Sequence, residues 1–357
     1  MENPPAPASL PQTGSGSIEF VLPPELEAHA PPEQRGLRRD QVRLLVLPRL
    51  AGPSIHTRFD SLGEALRPGD LLVINTSRTL PAMLQGTDET GSPVEVRLAQ
   101  RRSEDRWDSL ILNGRTHIGR AGMQLDFGMG LKAIILGPSP ELPFLWQVLF
   151  DRCCIPLLDL IYKLGEPVRY GYVNTAYPLD VYQTVYANEP GSVEMPSAGR
   201  PFTWELLLAL RQQGIGLAAL TLHTGLSSTR DDQIDASHPV YAEEYDIPLE
   251  TATAVQEIHR QGGRVVAVGT TVVRALETAA TPNGAITPGK GITRLHISAV
   301  HHLQAVDGLL TGMHEPQSSH LDLLSAFIAP ERLRPAYLEA IQLGYLWHEF
   351  GDMNLIL

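Results

Sequence analysis

Residues 248–280 read PLETATAVQEIHRQGGRVVAVGTTVVRALETAA, and the class of fold turns on them. Residues 248–263 have helical texture and end on glycine. RVVAVG is a continuous apolar run of buried-strand length, and TTVVRALETAA returns to helix. Helix, buried strand and helix in succession point to a layered α/β structure, in which helices cover the faces of a sheet. The alternation continues outward. WELLLALRQQG (204–214) is an amphipathic helix stopped by glycine, and IGLAALTLHTG (215–225) holds the strand after it. LHISAV (295–300) reads as a strand, and SSHLDLLSAF and PAYLEAIQLGY as closing helices, the first capped by Ser318 or Ser319 and the second begun near Pro335. Near the other end, RLLVL (43–47) is a strand and FDSLGEAL (59–66) a short helix.

Between residues 69 and 150 the texture changes. DLLVIN, VEVRLAQ, WDSLILN, LKAIIL and FLWQVLF are short β-type runs separated by Gly/Pro turns, as in a small antiparallel barrel. The expected architecture is therefore a layered α/β sandwich domain (18–68 and 151–357) with an inserted antiparallel β-barrel domain (69–150). Residues 1–17, rich in Pro, Ala, Ser and Gly, read as a disordered tail.

The chain has 357 residues, with 28 basic and 40 acidic side chains, a net charge of −12. That balance argues against a general nucleic-acid coat protein but leaves room for an enzyme touching nucleic acid through a local basic patch. Gly 31 and Pro 29 favour turns and short elements. The two cysteines, Cys153 and Cys154, are adjacent, which disfavours a structural disulfide and leaves buried or reduced thiols as the expectation. No secretory signal and no apolar run of membrane-spanning length is present, so the expected protein is soluble, cytoplasmic and free of membrane. Twelve histidines lack any HExxH or facial-triad spacing, and no metal is expected. GxGxxG, P-loop and GxSxG signatures are also absent.

Four stretches carry candidate chemistry. In RVVAVGTTVVR, a strand passes through Gly269 into a helix opened by Thr270 and Thr271. Its free N–H groups suit an anion or carboxylate, and Arg274 follows one turn on; a plain capped helix has the same pattern. The polar stretch YQTVYANEPGSVEMPSAGRPFTW (182–204) has the length and Gly/Pro content of a site-lining loop. TLHTGLSSTR places His223 at a strand's carboxyl end, where α/β sheets bind ligands. TGMHEPQSSHLDLL presents His314 and Ser318, and EFGDMNLI puts Asp352 in a turn.

YQTVYANEPGSVEMPSAGRPFT, VGTTVVRALE, VDGLLTGMHEPQSS and FGDMNLI, with FVLPPEL (20–26) and LRPGDLLVINTSRTLPA (66–82), resemble the S-adenosylmethionine:tRNA ribosyltransferase-isomerases of queuosine biosynthesis. The resemblance covers nearly all but the tail. It implies an α/β sandwich carrying a β-barrel, with S-adenosylmethionine as ribosyl donor and tRNA as acceptor. The ribosyl portion goes to the 7-aminomethyl group of a wobble 7-deazaguanine, adenine and methionine leave, and an epoxycyclopentanediol forms. A monomer working without metal is expected. The sulfonium acidifies the neighbouring carbon, so one general base can begin the rearrangement.

Carried over by motif, His223 and His314 are the candidate proton carriers. Arg78, Tyr182, Gln183, Tyr186, Ser197, Gly199, Phe202, Glu243, Thr270, Thr271, Arg274, Ser318 and Asp352 form the candidate substrate-binding set. Thr270, Thr271 and Arg274 suit the methionine end, and Arg78 an anionic tRNA or substrate. The motifs also depart from the family pattern. Arg200 and Pro201 stand where Leu-His is usual, Ser227 to Arg230 replace a TFxP-type run, and Tyr241 and Glu315 are atypical. Glu349 and Phe350 take the places of Ser and Tyr. A paralogue acting on a different, non-tRNA acceptor, and a non-catalytic RNA-binding protein, are the alternatives these changes raise.

Overall fold

The computed structural model describes residues 18–227, 242–316 and 318–357. The tail at 1–17, and His238, Tyr241 and residues 228–230, lie outside the described residues. Among those described, nine strands form one sheet. Their order is Gly289–Thr293, Glu243–Ile247, Gly216–Leu222, Leu71–Asn75, Val265–Val268, Gly308–Gly312, Met353–Ile356, Arg43–Leu47 and Ile55–Arg58. The four from Gly216–Leu222 to Gly308–Gly312 run parallel to one another.

Alternation along these strands builds both faces. Leu71 and Val73 join Leu45, Leu220, Val265 and Ala267 in a core covered by the helices Leu249–Arg260, Thr270–Ala279 and Pro330–Gln342. Leu72 and Ile74 join Leu44, Val266, Val268 and Leu310 on the other face, under Phe59, Phe202 and the helix Trp204–Gln212. Strands covered on both sides have no solvent face to keep polar, which is why RVVAVG and LLVIN are almost wholly apolar.

Six further strands close into an antiparallel barrel. Met83–Asp88 pairs with Pro93–Arg101, which pairs with Arg106–Asn113. Trp146–Phe150 bridges Arg106–Asn113 to Lys132–Pro138, and Gln124–Asp126 links Lys132–Pro138 back to Met83–Asp88. Closure leaves no bare edge. Leu84, Val96, Leu98, Leu110, Ile135 and Val148 fill the interior. The fold is thus a layered α/β sandwich with a small antiparallel barrel.

Three expectations change. DLLVIN is a central strand of the large sheet rather than a barrel strand: all five residues of Leu71–Asn75 are buried, whereas Lys132–Pro138 in the barrel alternates exposed and buried positions. The barrel instead takes Met83–Asp88, a segment whose polar half hides its strand character. LHISAV forms no strand. The ladder lies just before it at Gly289–Thr293, and Ile297 reaches the core from irregular backbone. The last helix begins at Pro330, its first residue, so Pro335 lies in its second turn. Both thiols are free, in keeping with the reduced alternative, with Cys153 exposed and Cys154 half-buried. No helix among the described residues is long and apolar enough to cross a membrane.

Candidate active site

The four parallel strands deliver their carboxyl ends to one side of the sheet, and Asn75 ties those ends together. It is buried at the end of Leu71–Asn75. Its Nδ2 donates to the Leu222 carbonyl at 2.9 Å and to Thr271 Oγ1 at 3.3 Å, while its Oδ1 accepts from Leu222 N and Ser77 N, both at 3.0 Å. One amide side chain therefore fixes the exits of two strands and the first turn of the helix Thr270–Ala279. Gly269 caps that helix with φ 95°, a conformation that favours glycine, and its open Cβ position faces the Ala198 methyl.

One residue beyond the strand Gly216–Leu222, His223 Nδ1 lies 2.7 Å from Ser77 Oγ, which is 2.6 Å from Ser192 Oγ. Ser192 Oγ in turn accepts from Thr224 N at 3.1 Å. Gly191 packs flat on the imidazole: a Cβ there would stand 2.5 Å from His223 Nδ1 and Cε1. Among the described residues, Nε2 has no hydrogen-bond partner and is the ring nitrogen left for a ligand. Burial, helped by the nearby Arg101 charge, pushes His223 down to about 4, so the ring is neutral at physiological pH.

The cleft above His223 is walled on one side by Thr224, Gly225, Ala242, Glu243 and Glu244, and on the other by the barrel residues Gln100, Arg101 and Trp107. Within it the Glu243 carboxylate pairs with the Arg274 guanidinium, whose Nε also donates to the Leu295 carbonyl at 3.1 Å. Burial raises the Glu243 pKa; Arg274 and the Gly225 N–H act against that rise. A neutral imidazole and a buried, paired carboxylate in one cleft are suited to moving a proton next to a cationic substrate.

The remaining candidates divide by place. Glu243 lines the cleft and pairs there with Arg274, and Thr271 is tied to the strand ends through Asn75. Tyr186 and Gly199 touch, leaving no room for a side chain at position 199, and burial holds the Tyr186 phenol far above its ordinary pKa. Ser197 and Gly199 lie in one short helical turn, Ser197–Gly199. Phe202 is a core residue, edge-on to Phe59 at 5.0 Å. Gln183 clamps the strand Ser77–Thr79, accepting from Thr79 N at 3.1 Å and donating to Thr79 O at 2.8 Å. Tyr182 is buried against Phe350. Asp352 accepts from the Arg43 and Leu346 N–H groups, both at 2.7 Å, and so holds backbone rather than facing a ligand. Arg78 is exposed on Ser77–Thr79.

His314 belongs to a separate group. Its Nε2 lies 2.7 Å from Thr311 Oγ1, its ring 4.6 Å from that of His320, and its carbonyl accepts from Trp347 Nε1 at 2.9 Å. Burial, with the neighbouring His320 and His348, holds it well below the ordinary histidine pKa. The Ser318 hydroxyl is buried near the start of the following helix and has no hydrogen-bond partner among the described residues.

The departures from the family motifs also have structural places. Arg200 is buried, pairs with Glu33 at 3.0 Å, donates to the Val181 carbonyl at 2.9 Å and lies 5.1 Å from the Phe350 ring centroid. Two atypical residues thus pack on one another, and Arg200 is withdrawn from any basic outer face. Burial pushes the neighbouring Glu349 up to about 7.

Residues 16–356 match the family described as queuosine biosynthesis protein. The chain belongs to that family. It is 38% identical over 349 residues to the S-adenosylmethionine:tRNA ribosyltransferase-isomerase of Symbiobacterium thermophilum, covering 95% of this chain and 98% of the relative. It is 41% identical over 355 residues to the enzyme of the same name from Thermus thermophilus, covering 96% and 99%. The crystal structure of S-adenosylmethionine tRNA ribosyltransferase from Thermotoga maritima aligns at a TM-score of 0.53 and 31% identity, over 95% of this chain and 99% of that one. The resemblance read from the motifs is the family, and the Thermotoga maritima enzyme shares this fold.

Several site residues carry little signal of their own in the sequence. Ser77 stands beside Arg78 in NTSRTLPA and was within reach of the motif. Asn75 opens that motif and Ser192 lies in the 182–204 stretch, but Gln100, Arg101 and Trp107 belong to no motif, because only the closed barrel puts them beside His223.

Proposed function

We propose that this queuosine-pathway enzyme transfers the ribosyl portion of S-adenosylmethionine to the 7-aminomethyl group of a tRNA 7-deazaguanine and isomerises it. The product is epoxyqueuosine, and adenine and methionine are released. The observation that carries the reading is the cleft between barrel and sheet, where His223, neutral and anchored by Ser77, lies beside the buried Glu243–Arg274 pair. The sulfonium acidifies the adjacent ribosyl carbon, and Nε2 of the neutral imidazole, without a partner among the described residues, can accept that proton. The Glu243 carboxylate supplies counter-charge to the imidazolium so formed.

The methionine carboxylate suits the start of the helix Thr270–Ala279, where the first N–H groups have no intrahelical acceptor. Arg274 supports that end indirectly by opposing the burial-driven rise of the Glu243 pKa and holding its carboxyl in place. His314, in its own buried group, is the second proton carrier. Arg78, exposed on its strand, offers a contact for a tRNA phosphate, and the reaction belongs in the cytoplasm, where tRNA is modified.

The test is incubation with S-adenosylmethionine and tRNA bearing 7-aminomethyl-7-deazaguanine, followed by mass spectrometry of nucleosides and free adenine. Equimolar adenine and epoxyqueuosine are expected. Absence of both overturns the proposal, and adenine without the modified nucleoside moves the reaction to a different acceptor.

A further inference from the structure

The two cysteines stand on a piece of the barrel that the proposed reaction leaves unused. Glu104 lies in the turn joining Pro93–Arg101 to Arg106–Asn113, the hairpin whose Arg101 and Trp107 line the cleft. Across from it the chain leaves the barrel: Phe150 N donates to the Asp105 carbonyl at 2.9 Å and Cys154 N to the Glu104 carbonyl at 3.3 Å. Cys154 has φ 55°, a left-handed conformation uncommon for a side chain of this kind. It sets the two thiols on one side, Cys154 Sγ being 3.3 Å from Cys153 Sγ and 2.9 Å from Glu104 Oε2. The three ligand atoms all lie within 4.8 Å of one another, and Cys153 and Glu104 are exposed.

We propose that Glu104, Cys153 and Cys154 form a binding site for one thiophilic divalent cation, with zinc as its physiological occupant. Two thiolates and a carboxylate are a borderline-soft donor set, and one water completes four-coordination. Tetrahedral zinc with Zn–S of about 2.3 Å needs sulfurs roughly 3.7 Å apart. The pair therefore opens by only a few tenths of an ångström, within reach of exposed side chains. On binding, both thiols lose their protons to solvent. The site starts with one carboxylate charge, and it ends with a dication, two thiolates and a carboxylate, so its net charge stays at −1. The ion would clip the cleft-lining hairpin to the start of the helix Cys154–Leu164.

The site is independent of the proposed reaction and is tested without it. The full chain, reduced and metal-free, is titrated with Co²⁺ and then with Zn²⁺. We expect a thiolate-to-cobalt charge-transfer band saturating at one ion per chain, bleached by Zn²⁺, with two protons released per zinc. Cys153→Ser and Cys154→Ser should each abolish the band, and Glu104→Gln should weaken binding about tenfold, comparable with loss of a supporting ligand interaction. Alkylation of the folded wild type with iodoacetamide should give the same loss, which separates the site from any folding defect of the variants. No band, or a band that survives both serine variants or alkylation, overturns the proposal.

Discussion

Replacing Arg274 with methionine tests the central electrostatic claim about the cleft. The Glu243–Arg274 pair is mostly withdrawn from water, with side chains 10% and 20% exposed. Removing one partner of a buried pair leaves a desolvated charge and costs about 3–5 kcal/mol. Arg274 keeps a fifth of its exposure, so the low end, about 3 kcal/mol at pH 8, is the value to expect. The loss has a pH signature. Burial already raises the Glu243 pKa, and losing the guanidinium that opposes the rise lifts it further. A carboxyl with a raised folded pKa favours the folded state when protonated. The Arg274→Met defect should therefore be small near pH 4.5, the unfolded glutamate range, and grow as pH rises through the folded pKa. Glu243→Gln combined with Arg274→Met removes both charges and should recover most of the lost stability. The assay is urea unfolding at pH 5 and pH 8, reading the midpoint at unchanged m. A single-variant loss under about 1 kcal/mol, or one equal at both pH values, would refute a buried pair.

Other outcomes follow from the same geometry. His223→Gln should lower kcat for adenine release by about 10²–10⁴-fold with a smaller change in KM. Because burial holds His223 near 4, it stays unprotonated above that value; the acidic limb of wild-type kcat/KM that it governs should fall near pH 4, and a limb at 6.5 would assign it elsewhere. Gly191→Ala pushes a methyl into the His223 ring and away from Ser77, so activity should fall on the order of 10²-fold, measured by adenine release, while the far-UV spectrum stays unchanged. Asn75→Ala strands the buried Leu222 and Ser77 N–H groups. At about 1–3 kcal/mol for each unsatisfied donor, several kcal/mol of stability should go, read by urea denaturation.

Much of the scaffold was legible in local sequence. RLLVL and RVVAVG are strands, and the helices around them begin and end close to their caps and glycines, because burial on both faces writes itself as continuous apolar runs. Where pattern and partner diverge, reading failed. DLLVIN looks like the barrel runs beside it, and only its pairing with Gly216–Leu222 and Val265–Val268 makes it central. The motif residues were legible as a set, but their division was not. His223 and Glu243 line one cleft, with Arg274 paired to Glu243, whereas Asp352 and Gln183 secure backbone and Phe202 fills core.

The sequence by itself determined the family, the α/β class and the presence of a barrel, since each rests on residue types in fixed local order. Tertiary structure decided the chemistry's address. Ser77 and Ser192 are far apart in the chain, as are Trp107 and Glu243, and no local rule relates them. They become neighbours because parallel strands end on one side of the sheet and a closed barrel lies across those ends. Burial there, and not residue identity, sets His223 neutral and lifts Glu243.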